Sequence, residues 1–274
     1  AENILAAKAL ASELGFLPLA LIQAAGYIRS TGIGFAEYAR LLQSDAIRIF
    51  HEAPLPAEYP RSVALTWQVS MLAAERESIH ARALLELLSF VAPEAVPIDL
   101  LKPKSNRPRN TRFNSVFWMF WQAIVSLCRI TPASRLLDPV ALNRAIAALE
   151  RFSLITVAPG RLTTHRLVQT ITRAGLKRSV SKARTKMAVT LVDAALPDPE
   201  DPRNRQLIVS LLPHALVTAQ LAEKRGVETL TAANILERIG VYYKIYAAWA
   251  QAQSLYERAL AIRERSRGRM DAGL

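Results

Sequence analysis

Apolar residues recur at helical spacing along almost the whole chain, and that pattern restricts it to a mainly α architecture. Ile4, Leu5, Ala9, Leu10 and Leu14 form one stripe, and Gly15 after it marks a helix stop. Pro18 stands where a helix tolerates proline, in its first turn, and the helix continues through Leu19 to Ile28. Gly32 and Gly34 end it, and Phe35 to Leu42 make a third short helix. Residues 52–60 are proline-rich and read as a linker. Helices over Ser62–Ala74 and Ile79–Val91 follow, closed by Pro93 and Pro97.

The helical pattern fails in three places. Residues 102–137 begin as a loop, KPKSNRPRNTRFN, and continue as FWMFWQAIVSLCRI, an aromatic run with no clean stripe. Phe117, Trp118, Phe120 and Trp121 would crowd every face of a helix, so the stretch reads as an insertion and an aggregation liability. Order returns at Asp138, with Pro139 opening a helix through Phe152. Ser153–Val157 and Arg161–Thr164 are then two β-prone runs around Ala158-Pro159-Gly160, the signature of a tight hairpin. A helix from about Arg166 to Lys177 completes a winged-helix-like order. The third break, LPDPEDPRN (196–204), is a hinge between helical stretches.

Near the end, Leu236, Ile239, Gly240, Tyr243, Ala252, Tyr256 and Ala259 take the positions of a 34-residue tetratricopeptide helix–turn–helix. Gly240 and Ala252 let two helices approach, and Tyr243 and Tyr256 fill the groove between them. Glu264 stands where the usual closing proline would be. One such repeat cannot bury its own face, so the chain is expected to enter a repeat array at about 233–266.

Charge is localised. Lys and Arg total 35 against 23 Asp and Glu, a net +12. Residues 102–137 hold seven of the cations and residues 161–186 eight, with no acid in either segment. The remainder is mildly acidic, as for an ordinary scaffold. A basic balance of this kind raises nucleic acid or an anionic surface as a partner. Cys128 is the single cysteine, which excludes a disulfide framework and fits a reducing, cytoplasmic setting. His51, His80, His165 and His214 lack ligand spacing, so no metal site is expected. The longest apolar run is too short for a membrane span of about 20 residues. The chain starts at Ala1, not Met, and reads as part of something longer.

Two strings carry a family resemblance. LASELGFLPLALIQAAGYIRSTGIGFAEYARLL (10–42) resembles the helical subdomain of the NB-ARC signalling ATPases of the STAND class, with their Leu-Pro-Leu-Ala-Leu signature. LERFSLITVAPGRLTTHRLVQTITR (149–173) resembles the winged helix of the same proteins, in the branch that carries tetratricopeptide repeats. SVALTWQVSMLAAE (62–75), LLELLSFVAPEAVPIDLL (84–101) and YERALAIRERSRG (256–268) resemble neighbouring parts, so the likeness covers all but about 102–137.

The resemblance implies a mostly α chain in three parts. These are a helical subdomain (1–50), a winged-helix domain with a short β-hairpin wing (61–180, with the insert 102–137), and a helical region leading into the repeats (181–274). It implies the lid and sensor arm of a signal-transduction switch, with ADP or ATP shared with a P-loop domain of the same parent chain. It also implies an unidentified protein or peptide ligand on the repeats. By position, Pro18 matches the family's proline that lines the nucleotide pocket. His165 matches the histidine that reaches the ADP β-phosphate. Arg166 replaces the aspartate that follows that histidine in the family. No Gly-x-x-x-x-Gly-Lys-Ser/Thr occurs, so this segment is not expected to be an enzyme by itself, and no catalytic residue is assigned. Bland roles compete. Pro18 opens a helix whatever it binds, and His165 suits a helix cap. Two other functions remain open. One is a winged-helix DNA-binding regulator with a repeat-type sensor, disfavoured because the helix before the wing is nearly neutral. The other is an adaptor scaffold without nucleotide control.

Overall fold

The computed structural model describes residues 2–52, 61–102, 138–227 and 229–271; the insert read at 102–137 and the linker read at 52–60 lie outside them but for their edges. The fold is mostly helical, with one small sheet. In chain order come α1 (Glu2–Glu13), α2 (Pro18–Thr31), α3 (Phe35–Glu52), α4 (Arg61–Glu77), α5 (Ala81–Leu88) and β1 (Val96–Pro97). After the undescribed segment follow α6 (Pro139–Arg151), β2 (Thr156–Ala158), β3 (Arg161–Thr163), α7 (Arg166–Ala174) and α8 (Arg178–Ala195). The chain continues with α9 (Arg205–Lys224), α10 (Leu230–Ile245) and α11 (Trp249–Asp271).

The strands form a sheet of order β1-β3-β2. The expected hairpin is present, turning at Pro159 and Gly160, with Gly160 at φ +71°. Its first strand starts later than the sequence suggests, because Ser153 takes a left-handed conformation, φ +55°. Strand β1 lies in a stretch that the prolines mark only as a helix end. It pairs antiparallel to β3 with Val96 opposite Leu162, and Pro97 sits at the end of the ladder. The two-residue pairing is too short to leave a periodic signal. Helix α3 runs ten residues beyond Leu42, while the expected Ile79–Val91 helix shortens to Ala81–Leu88.

The described chain divides into two compact units, each built from separated segments. The first comprises 1–86, 102–158 and 164–175. Gly15 ends α1 in a Schellman turn: the Phe16 amide donates to the Ala11 carbonyl and the Gly15 amide to the Ser12 carbonyl, each at 2.9 Å. The hydrophobe after such a glycine usually folds back on the helix. Phe16 instead takes φ +53° and is 66% exposed. The core of this unit gathers around α2. Its buried Tyr27 lies 5.3 Å from the Tyr38 ring and 5.8 Å from the Phe152 ring. Thr66 on α4 donates to Gln23 Oε1 at 2.9 Å, satisfying two polar groups inside this apolar contact. Where α2 meets the end of α6, a Cβ on Gly26 would stand 2.3 Å from Ser153 Oγ and 3.1 Å from Ser153 Cβ. Ser30 and Arg151 close the same crossing, the serine hydroxyl donating to the Arg151 carbonyl at 2.9 Å.

The second unit comprises 87–101, 159–163 and 176–274. Arg238 clamps the end of α8, pairing with Asp193 and donating to the Leu196 carbonyl at 2.7 Å. Helices α10 and α11 form a helix–turn–helix. A Cβ on Gly240 would lie 2.8 Å from the Tyr256 ring, so the glycine lets that ring rest on the α10 backbone. Leu236, Ile239, Ala252 and Ala259 are buried in this pair. Helix α9 carries Pro213 in its interior without ending there. Next to it His214 is 1% exposed, its ring held by the backbone carbonyls of Ala95 and Ala92. Burial depresses its pKa below the ordinary histidine value, and those carbonyls offset the effect only in part.

Two outcomes follow for stability. Gly26→Val is expected to destabilise the fold by about 2 kcal/mol in urea melts. Ser153→Gly, which removes both the obstructing side chain and the left-handed strain, should recover part of that loss in the double variant. For His214, the unfolded chain takes up a proton near pH 6.5 while the folded chain resists it. Stability therefore falls as pH drops below about 6.5. His214→Gln, which retains a donor for the carbonyls, should flatten the fall in melting temperature between pH 7.5 and 5.

Candidate functional site

Both sequence-indicated residues lie in the first unit, each at the start of a helix. Pro18 is the first residue of α2 and is exposed. It follows Leu17, which has extended backbone and supplies no side-chain cap. The proline lacks the N–H that would otherwise go unsatisfied there, and its ring faces solvent. Phe16, two residues earlier, is the exposed aromatic of the left-handed turn. Phe16 escaped the sequence reading, since nothing in the pattern distinguishes it from a hydrophobe folded back on α1.

His165 is the N-cap of α7. Its backbone is extended, φ −65° and ψ 137°, and its Nδ1 accepts the Leu167 amide at 3.2 Å. In the neutral ring the accepting nitrogen is therefore Nδ1, and the proton sits on Nε2. The residue is exposed, with the following helix turning its buried face through Val168, Ile171 and Thr172. The histidine is therefore both a structural cap and a donor at the positive end of a nine-residue helix. Arg166, in the place of the family's aspartate, opens that helix and is exposed as well. Cap and anion contact use different ring nitrogens, so one role does not exclude the other. The structure gives Pro18 and His165 no hydrogen bond to each other; they open different helices of one unit.

Among the described residues no helix is long and apolar enough to cross a membrane. No group of His, Cys, Asp and Glu among them is arranged to hold a metal ion.

Residues 72–181 match a family described as a domain of unknown function, DUF7779. The chain is also 26% identical over 277 residues to a protein of Hyaloscypha variabilis named a nucleotide-binding leucine-rich repeat (NLR)-like protein. That alignment takes in 96% of this chain but 24% of the relative, so the chain spans about a quarter of the relative's length. No solved structure matches. The similarity supports, at low identity, a relationship to NLR-type proteins.

The cap at His165 is open to direct measurement. His165→Ala is expected to cost about 1 kcal/mol in chemical denaturation, and His165→Ser, which restores a capping oxygen, to recover most of it.

Proposed function

We propose that this chain is the regulatory lid and sensor arm of a nucleotide-switched signalling ATPase, with its P-loop domain elsewhere in a longer parent protein. The observation that carries the reading is the division of labour at His165. Its Nδ1 is committed to the α7 cap, leaving Nε2–H at the helix N-terminus, where an anionic oxygen is favoured. A β-phosphate held there receives a charge-assisted hydrogen bond from the imidazole. The exposed Pro18 ring offers an apolar face to the base or ribose without placing a competing donor beside it. The NLR-like relative, named for nucleotide binding, supports the same reading.

As a switch, the device depends on the closed arrangement binding ADP more tightly than the open one. One charge-assisted hydrogen bond, about 1.5–3 kcal/mol, shifts such a balance roughly 10- to 150-fold. The α10–α11 pair then starts a tetratricopeptide array on which a protein or peptide ligand favours the open state. The setting is cytoplasmic. Chemistry at the γ-phosphate belongs to the P-loop domain, and this segment contributes affinity and coupling.

The test starts with the transcript upstream of Ala1, where a Gly-x-x-x-x-Gly-Lys-Ser/Thr coding stretch is expected. In the full-length protein, His165→Ser should then speed ADP release about tenfold while preserving the α7 cap. Pro18→Ala should weaken both nucleotides. Absence of the P-loop, or ADP retention unchanged by both variants, would overturn the reading and leave an adaptor scaffold.

A further inference from the structure

Basic side chains in the second unit behave in two ways. Several arginines are committed within it: Arg225 donates to Ser181, Arg238 pairs with Asp193, Arg258 with Glu223 and Arg263 with Glu237. Lys177, Arg178, Lys182 and Lys186 are different. They occupy the N-cap and first half of α8, all are exposed, and none forms an ion pair among the described residues. Arg178, Lys182 and Lys186 recur at every fourth position, so they share one face, about 6 Å apart along the axis. Like charges at this spacing repel, and cations at a helix N-terminus oppose its macrodipole. With no acid anywhere in 161–186, nothing in the segment relieves that repulsion.

We propose that this face of α8 binds the phosphate backbone of a nucleic-acid duplex without reading its sequence. The face is about 12 Å long, and a duplex strand presents one phosphate per about 3.4 Å of axis, so it meets about three or four phosphates. Three of the four cations are lysines, point donors suited to phosphate oxygens, whereas protein interfaces favour arginine and are depleted in lysine. No large apolar side chain is exposed along α8, as a helix bedded in an anionic membrane surface requires. The helix also has no aromatic residue on which a base could stack. Electrostatic contact with a backbone is what remains. The inference does not depend on the nucleotide reading of Pro18 and His165, which lie in the other unit.

Fluorescence anisotropy of the 274-residue chain with two labelled 20-base-pair duplexes of unrelated sequence tests it. Both should bind alike, with log K falling against log salt at a slope of about −3 to −4. The triple variant Arg178→Gln, Lys182→Gln, Lys186→Gln should retain the helical circular-dichroism signal. It should lose about 2.7 from the magnitude of that slope, and bind at least tenfold more weakly at 50 mM salt. Lys224→Gln with Lys244→Gln, exposed lysines of the same unit, should bind as the unsubstituted chain does. The proposal is overturned if the triple variant binds undiminished, if the Lys224/Lys244 control loses as much, or if phosphatidylserine vesicles are bound in preference to the duplex.

Discussion

Helices in this protein come together where a side chain is missing. At Gly26 there is no room for a Cβ against Ser153, and that close approach brings Tyr27 of α2 onto the Phe152 ring. Tyr27 also meets Tyr38 from α3, and Gln23 on the same helix takes the Thr66 hydroxyl of α4. Most of the first unit is thus arranged around one glycine-containing face of α2. The same solution recurs in the second unit, where Gly240 carries the Tyr256 ring. Each glycine forfeits about 1 kcal/mol of helix propensity, and the aromatic surface it lets the core bury is worth more.

The helical body was legible because each helix buries one face and the apolar spacing records it. Signals at the ends were reliable when they rested on local chemistry. Asp138 caps α6 by accepting the Ala141 amide at 3.0 Å, ahead of the proline that opens it. Gly15 stops α1, and Gly160 turns the hairpin. What escaped was set by tertiary contact. The two residues of β1 become a strand only because β3 lies beside them. Ser153 takes its left-handed conformation next to Gly26, 127 positions away in the chain, and no local pattern announces it.

At the candidate site the sequence supplied positions, and the structure adds orientation. Exposure of Pro18 and the tautomer imposed on His165 are consequences of the capping geometry, which a residue string does not encode. The charged segment 161–186 shows the same distinction. Its excess of cations is plain from composition, but only the packing separates the engaged arginines of the second unit from the unpaired face of α8.

The two compact units are not consecutive lengths of chain. The polypeptide passes from one to the other at 86/87, 101/102, 158/159, 163/164 and 175/176. Neither unit can therefore be excised by a single cut. Division near 180 would strand residues 87–101 and 159–163, the β1–β3 pair among them, away from the helices with which they cluster. Such interleaving ties the halves together in heredity as well as in folding. A recombination event that exchanged only one of them would have to replace several separate stretches at once, so the region from α1 to α11 is expected to be inherited as one block.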